Sequence, residues 1–230
     1  MSTFLELVKD LHRESGAAGN APSTVASQAG ESLRLVRWIQ RADSHVQKLW
    51  HNWDFLWSPT QYSAATVAGT QDATMPTTQG AWDEKTFKLD GDPIAVVEYS
   101  KVKGDVFNTG VTDRAQPSRV IILPNKNLRF DPVPDAAYTI TADYFLKPVT
   151  MDDTATSANS IISKIPEEYH QVILGQALIY YGNYENAPDA KTYGVELVSE
   201  WLPRLESEFL PNEFNSRFTS SGNMIEVIAS

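Results

Sequence analysis

One long stretch with helical spacing, residues 31–53, limits most strongly what this chain can fold into. Its large apolar residues recur at steps of three and four, which places them on one helix face: Leu35, Val36, Ile39, Ala42, Val46, Leu49, Trp50 and Trp53. At about 1.5 Å per residue, such a helix would be roughly 35 Å long. Its apolar stripe needs a partner of similar length, and residues 166–186 and 188–210 can supply one. We therefore predict that helices from both ends of the chain pack together.

A shorter helix is predicted before it, over residues 3–14. Ser2 or Thr3 can cap this helix with Glu6 in the capping-box position, and Gly16 ends it. A small, polar loop then leads into the long helix. The face of the long helix opposite its apolar stripe is predicted to be polar and carries Arg34, Arg37, Arg41, Asp43, Gln47 and Lys48.

Residues 58–150 follow a different pattern, with short runs of β-branched and aromatic residues separated by turn-forming residues. The best hairpin candidate is residues 123–130, around the turn Pro-Asn-Lys-Asn. Residues 138–146 alternate apolar and polar side chains, which predicts one strand with a buried face. We interpret this region as an antiparallel β-module.

Helical spacing returns after a polar linker at residues 151–159. Two helices are predicted, with Pro166 and Pro188 in their first turns and Pro203 as a site where the second helix can kink. The predicted fold is α+β: a helical bundle from residues 1–57 and 151–210, an inserted antiparallel β-module at 58–150, and an extended arm at 211–230. We expect the bundle core to contain Leu35, Ile39, Val46, Trp50, Trp53, Tyr169, Ile173, Tyr180 and Trp201.

Composition and motifs argue against several functional classes. The chain has no cysteine, which excludes disulfides, thiolate nucleophiles and cysteine-bound metals, and no catalytic or phosphate-binding motif is present. The four histidines are spaced too far apart to suggest a metal site, so we expect no enzyme activity, cofactor or metal.

The charge of the carboxyl-terminal third argues against nucleic-acid binding. Residues 151–230 hold twelve acidic and four basic residues, whereas a groove that binds nucleic acid needs a positive charge. No apolar run is long enough for a membrane span, and the amino terminus does not resemble a signal peptide, which predicts a cytoplasmic product.

Aromatic residues leave one alternative open. Trp50, Trp53, Phe55 and Trp57 cluster where the long helix meets the β-module, and such a cluster is either core or an exposed binding platform. A second hypothesis is therefore a carbohydrate- or receptor-binding module that uses Trp57, Tyr62 or Trp82.

Three stretches, in this order, resemble the bacteriophage head-to-tail adaptor, or connector, proteins. They are the opening FLELVKDLHRESG with its small-residue loop, the helix LRLVRWIQRADSHVQKLWHNWDFLW, and the tyrosine-rich IPEEYHQVILGQALIYYGNYENAPDAKTYGVELVSEWLPRL. Together they cover roughly two thirds of the chain. The large β-module has no counterpart in the smallest, all-helical members of that family.

The resemblance implies a non-enzymatic structural protein at the head-tail interface of a virion, made in the bacterial host cytoplasm. It implies a homo-oligomeric ring, typically of twelve copies, that docks on the portal protein, extends the DNA channel without binding DNA specifically, and receives the next tail component, a tube, nozzle or stopper. It further implies a portal-binding arm whose apolar residues are Phe214, Phe218, Met224, Ile225, Val227 and Ile228. The alternating segment MIEVI can add a strand to an exposed sheet edge, and the alternative for this arm is a frayed terminus. The acidic carboxyl-terminal third is either a channel wall that repels DNA or a source of ordinary solubility.

Overall fold

The structure is a computed structural model that describes residues 2–104 and 114–211 of the 230-residue chain. Its helices are α1 (Phe4–Ser15), α2 (Gly30–Leu49), α3 (Tyr99–Val102), α4 (His170–Glu185) and α5 (Pro188–Phe209). The chain divides into two compact units. Among the described residues, the helical unit comprises residues 2–46, 52–55 and 151–211, and the β-unit comprises residues 47–51, 56–104 and 114–150.

Helix α1 begins and ends where local side-chain chemistry predicts. The hydroxyl of Thr3 accepts a hydrogen bond from the backbone N–H of Glu6 at 3.3 Å, and the Glu6 carboxylate accepts one from the N–H of Thr3 at 2.7 Å. This reciprocal pair satisfies two amides that have no partner inside the helix. At the other end Gly16 adopts a left-handed conformation, with φ of 68°, that stops the helix. The capping box and the glycine stop are both confirmed.

Helix α2 buries the predicted stripe but is shorter than predicted. Leu35, Val36, Ile39, Ala42 and Val46 are almost completely buried. The prediction that the helix continues to Trp53 is wrong, because α2 ends at Leu49 and a short 3-10 turn follows at Asp54–Leu56. Indole Nε1 of Trp53 donates a hydrogen bond to the carbonyl oxygen of Val46 at 3.3 Å. The returning tryptophan thereby satisfies one carbonyl in the last turn of α2.

Polar residues of α2 that were predicted to lie on the outer face are partly inside. Asp43 and Gln47 are both completely buried, which corrects that prediction for these two residues. The Asp43 carboxylate accepts a hydrogen bond from the Ser163 hydroxyl. Within the β-unit, the Gln47 side-chain amide makes two hydrogen bonds to the backbone of Val149, at 2.9 and 3.1 Å. Both residues are buried because each has a polar partner to bond.

The segment after residue 150 is bonded along α2 in the helical unit. Gln40 Nε2 donates to the carbonyl oxygen of Met151 at 2.7 Å and to the carboxylate of Asp153 at 2.8 Å. Arg37 pairs with the same carboxylate at 3.1 Å. The predicted polar linker at residues 151–159 thus begins with two buried residues, Met151 and Asp153, while Asp152 between them is exposed.

Removing the Gln40 amide is expected to destabilise the helical unit. The substitution Gln40→Leu leaves the buried carbonyl of Met151 and the Asp153 carboxylate without this donor, which costs about 1–3 kcal/mol of unfolding free energy. Urea titration followed by circular dichroism measures this loss. Gln171→Leu on the exposed surface of α4 is the matched control and should change stability by less than about 0.5 kcal/mol. Equal effects of the two substitutions would show that the Gln40 bonds contribute nothing.

Helices α4 and α5 pack through glycine contacts. A 3-10 turn at Glu167–Tyr169 leads into α4, and α5 begins with Pro188 at its first position and runs through Pro203. A methyl group placed on Gly194 would lie 2.6 Å from the carbonyl oxygen of Gly175. Only glycine allows the two backbones to approach this closely.

The β-unit contains three small sheets in the described residues. The strands are β1 (Tyr62–Ala65), β2 (Asp72–Ala73), β3 (Gln79–Trp82), β4 (Lys88–Leu89), β5 (Asp92–Pro93), β6 (Ala95–Glu98), β7 (Arg119–Ile122), β8 (Leu128–Asp131), β9 (Thr139–Ala142) and β10 (Tyr144–Leu146). The strand orders are β1-β9-β4-β5, β10-β3 and β2-β8-β7-β6. Their shared core is apolar and aromatic: Tyr62, Trp82, Phe87, Leu89, Val120, Leu128, Phe130, Ile140, Ala142 and Tyr144.

Pairing within the β-unit confirms one prediction and corrects another. Strands β7 and β8 form the predicted hairpin, with Ile122 opposite Leu128. The single strand predicted over residues 138–146 is instead two strands in different sheets, β9 and β10. They separate at Asp143, whose backbone N–H bonds the hydroxyl of Thr86 and whose carbonyl accepts from Asp83. Strands β6 and β7 pair in parallel, and the other strand pairs named above are antiparallel.

The α+β fold class, with a helical bundle interrupted by a β-module, is confirmed. In the described part of the chain, no helix combines the length and the apolar character that crossing a membrane requires.

Candidate interaction surfaces

The residues predicted for the bundle core differ in their burial. Leu35, Ile39, Val46, Trp53, Tyr169 and Ile173 are buried, whereas Trp50, Tyr180 and Trp201 are partly exposed. The Trp53 ring stacks on Phe55, with ring centres 5.1 Å apart. Trp201 also contacts Arg204, whose guanidinium lies 4.9 Å from the centre of the Trp201 ring.

A stripe of arginine, histidine and aromatic side chains runs along α2, and its members are exposed except for the half-buried Trp38. It consists of Arg34, Trp38, Arg41 and His45, spaced by four, three and four residues, and we call it the arginine–aromatic stripe. Trp38 packs edge-on against Tyr181 of α4, with ring centres 5.7 Å apart. Arg34 and Arg41 are visible in the sequence as polar residues, but their contacts with the tyrosines are not, because these contacts depend on how α4 packs.

The tyrosines of α4 hold the two arginines of this stripe in place. The Arg34 guanidinium lies 4.7 Å from the centre of the Tyr184 ring, and Arg41 lies at the same distance from Tyr180. Arg34 also pairs with the carboxylate of Glu185 at 3.3 Å, with both side chains partly in solvent. Cation–π contacts of this kind restrict a long side chain while leaving its charge accessible.

The outer face of α5 is acidic. Asp189, Tyr193, Glu196 and Glu200 are exposed and follow the same spacing of four, three and four residues; we call them the acidic stripe. Glu200 is engaged by Arg204 at 3.1 Å, one helical turn away. Near the end of α5, the Tyr169 hydroxyl donates to the Glu208 carboxylate, and this hydrogen bond raises the pKa of the tyrosine.

A small cleft in the β-unit has basic side chains around it. Its volume is about 220 Å³, and its lining includes Lys48, Trp50, His51, Lys126 and Lys147. Two of the ammonium groups already make hydrogen bonds to backbone carbonyls. Lys126 donates to the carbonyl of Gly80, and Lys147 donates to that of Thr77 at 2.9 Å. The described lining contains no Asp or Glu side chain, so His51 has no carboxylate partner there with which it could carry out acid–base catalysis.

The aromatic residues of the alternative binding module do not form one surface. Trp57 is 48% exposed, but Tyr62 and Trp82 are each only 8% exposed. These two pack edge-on against each other with ring centres 5.1 Å apart, and Trp82 Nε1 donates to the backbone of Lys126 at 2.9 Å. A sugar cannot stack on rings that already fill the core, so the structure gives this alternative only Trp57.

The described residues hold no group of three His, Asp or Glu side chains arranged to bind a metal ion. His170 is buried, and its Nε2 lies 3.0 Å from the carbonyl oxygen of Ile165. Burial lowers the pKa of His170 by disfavouring its charged form. This histidine has the environment of a structural core residue.

The predicted portal-binding arm lies outside the described residues. Phe214, Phe218, Met224, Ile225, Val227 and Ile228 all follow Pro211, the last residue that the structure describes.

Comparison with known proteins identifies a family. No curated protein matches the chain. A family model described as SU10 adaptor protein matches residues 2–201, from α1 through the β-unit and into α5. The match supports, at the level of a bacteriophage structural adaptor, the resemblance drawn from the sequence. The chain therefore belongs to the SU10 adaptor protein family.

Proposed function

We propose that this protein forms a ring at the head-tail interface of a bacteriophage particle. In this proposal the ring, of twelve copies, binds the portal protein, extends the DNA channel and offers the next tail component an attachment surface. The observation that carries it is the family match, which spans the helices, the inserted β-unit and the returning helices. Membership in an adaptor family supports a structural, non-enzymatic role in the virion.

The architecture supports a role in contacts with several partners at once. The helical unit and the β-unit each have buried apolar residues of their own, which supports a separate surface on each of them. The arginine–aromatic stripe on the helical unit contains arginine and tryptophan, two residue types that are enriched at protein interfaces.

The charge distribution supports a channel through which DNA passes without sticking. The last 80 residues carry −8 of the net charge of −10, and Asp152, Glu167 and Glu168 are among the exposed acids. Acidic side chains at a channel wall repel DNA phosphates over about one Debye length, roughly 8–10 Å. Such repulsion favours transit over binding.

We propose that the arm after Pro211 holds the ring to the portal. The arm contains Met224-Ile225-Glu226-Val227-Ile228, in which two apolar pairs flank one glutamate, and a short apolar segment of this kind can pair as a strand with an exposed sheet edge. Backbone hydrogen bonds would supply affinity, and the apolar side chains would fix the register.

Two charges on the apolar positions of the arm are expected to abolish portal binding. Ile225→Asp combined with Ile228→Asp buries carboxylates in the proposed contact, while the thermal unfolding of the chain alone stays unchanged. Size-exclusion chromatography with light scattering, on mixtures with the purified portal protein, measures binding. Ser221→Asp combined with Asn223→Asp adds the same charge beside the apolar positions and should leave binding close to wild type. Unchanged binding by the isoleucine variant would rule out the arm as the portal contact.

A further inference from the structure

The packing of α4 determines where α2 and α5 expose their stripes. Tyr180, Tyr181 and Tyr184 of α4 contact the arginines and Trp38 of α2. Gly175 and Gly182 of α4 instead approach α5, where a methyl group on either would lie 2.7–2.9 Å from atoms of α5 or of the turn before it. At about 100° per residue, these two sets lie on roughly opposite sides of α4. Helices α2 and α5 therefore flank α4 from opposite directions.

The acidic stripe points away from the helix pair. Gly194 and Leu197 of α5 face α4, and the acidic stripe is centred roughly 100° around the helix from the midpoint of these two residues. Its members Asp189, Tyr193 and Glu196 are exposed accordingly. The helical unit thus carries basic and acidic stripes on different sides, as a head-to-tail contact between copies requires.

The two stripes match each other in spacing and in charge. The arginine–aromatic stripe has the order arginine, tryptophan, arginine, histidine, at positions 34, 38, 41 and 45. The acidic stripe has the order aspartate, tyrosine, glutamate, glutamate at the same intervals, at positions 189, 193, 196 and 200. Aligned side by side, Arg34 faces Asp189, Trp38 faces Tyr193, and Arg41 faces Glu196.

We propose that the arginine–aromatic stripe of one copy docks on the acidic stripe of the next copy. The inference rests on the proposed ring and names the surfaces that close it. Trp, Tyr and Arg are the residues most enriched among those that dominate binding energy at interfaces. The tyrosines beneath Arg34 and Arg41 hold both guanidinium groups before the partner arrives, which lowers the entropy lost on docking.

Charge complementarity identifies the partner as a second copy of this chain. Each stripe alone fits any surface of opposite charge, and a second copy of this chain brings both the matching spacing and an aromatic residue at the second position. The contact repeats around a ring because each copy has one stripe of each kind, and such heterologous contacts close when the rotation between copies allows it.

Charge exchange between the stripes tests this contact on the full-length chain. One variant carries Arg34→Glu with Arg41→Glu, a second carries Asp189→Arg with Glu196→Arg, and a third carries all four changes. Each two-site variant sets like charges against each other and should raise the concentration needed for assembly on the portal by at least about 100-fold. The four-site variant restores opposite charges and should assemble within about tenfold of wild type. Lys9→Glu with Arg13→Glu on α1 is the control, since it changes the net charge as much as the first variant does.

Native mass measurement of the number of copies per portal, with thermal melting of each variant alone, gives the readout. Assembly by the four-site variant, together with loss in both two-site variants, supports the contact, because an unfolded or merely destabilised variant would not be rescued. Wild-type assembly by either two-site variant, loss of assembly in the α1 control, or failure of the four-site rescue would overturn it while the proposed function stands. A wild-type chain that does not assemble on the portal would overturn both.

Discussion

Replacing Gly194 with leucine is expected to separate α4 from α5 and to remove most of the stability of the helical unit. A side chain at this position would begin 2.6 Å from the carbonyl oxygen of Gly175 and 3.0 Å from the backbone nitrogen of Ile179. Backbone atoms cannot move aside as a flexible side chain can, so the helices must part. We expect the unfolding free energy to fall by about 3 kcal/mol or more, which is the upper end of the losses typical of substitutions that overpack a core.

Urea unfolding followed by far-ultraviolet circular dichroism measures this loss, and alanine makes the test sharper. Alanine favours helix over glycine by about 1 kcal/mol, so Gly194→Ala would stabilise α5 if nothing opposed it. The close approach predicts destabilisation instead. Gly104→Ala is the control, because a methyl group there has no neighbour within 4 Å. A stabilised Gly194→Ala protein would show that α4 and α5 are further apart than the structure has them.

Removal of the Trp53 side chain is the second change with a large expected effect. The ring is completely buried, stacks on Phe55, and donates its N–H to the end of α2. Trp53→Ala leaves a large cavity and frees the Val46 carbonyl, which together cost about 3–5 kcal/mol.

Trp57 provides the matched control for this substitution. It is the same residue type, four positions later, with 48% of its surface exposed. Trp57→Ala should cost less than about 1 kcal/mol, since little apolar surface returns to water. Thermal and urea unfolding of the two variants measure the contrast, and equal losses would contradict the burial assigned to Trp53.

Local chemistry explains which features of the fold could be predicted from the sequence. The cap of α1 depends on Thr3 and Glu6, three residues apart, and the stripe of α2 depends only on helical periodicity. The hairpin of β7 and β8 likewise follows from a turn between two short apolar runs. Each of these signals lies within a few consecutive residues.

The features that the sequence did not predict depend on distant partners. Asp43 is polar and its bonding partner Ser163 is 120 residues away, so nothing near Asp43 in sequence indicates its burial. The break at Asp143 reflects a bond to Thr86, 57 residues earlier, which moves the two halves of a regular alternating segment into different sheets. The parallel pairing of β6 with β7 needs a crossover connection, and alternation of side chains does not reveal strand direction.

The interaction surfaces likewise depend on contacts between residues that are far apart in the sequence. Arg34 and Arg41 are visible in the sequence as charged residues, but their placement over Tyr184 and Tyr180 needs the packing of α2 on α4. The resemblance to adaptor proteins came from the order of parts along the chain, and membership in the SU10 adaptor protein family came from the family-model match over residues 2–201. In this protein the order of parts is more informative than any single motif.

Imaging and weighing the complex with the portal protein tests the adaptor proposal most directly. Negative-stain images and native mass should be recorded for the purified chain, for the portal, and for their mixture. The proposal predicts added mass equal to twelve copies of the 25.6 kDa chain and a ring of new density on the tail-facing end of the portal. A portal that keeps its own mass beside a free 25.6 kDa monomer would contradict it.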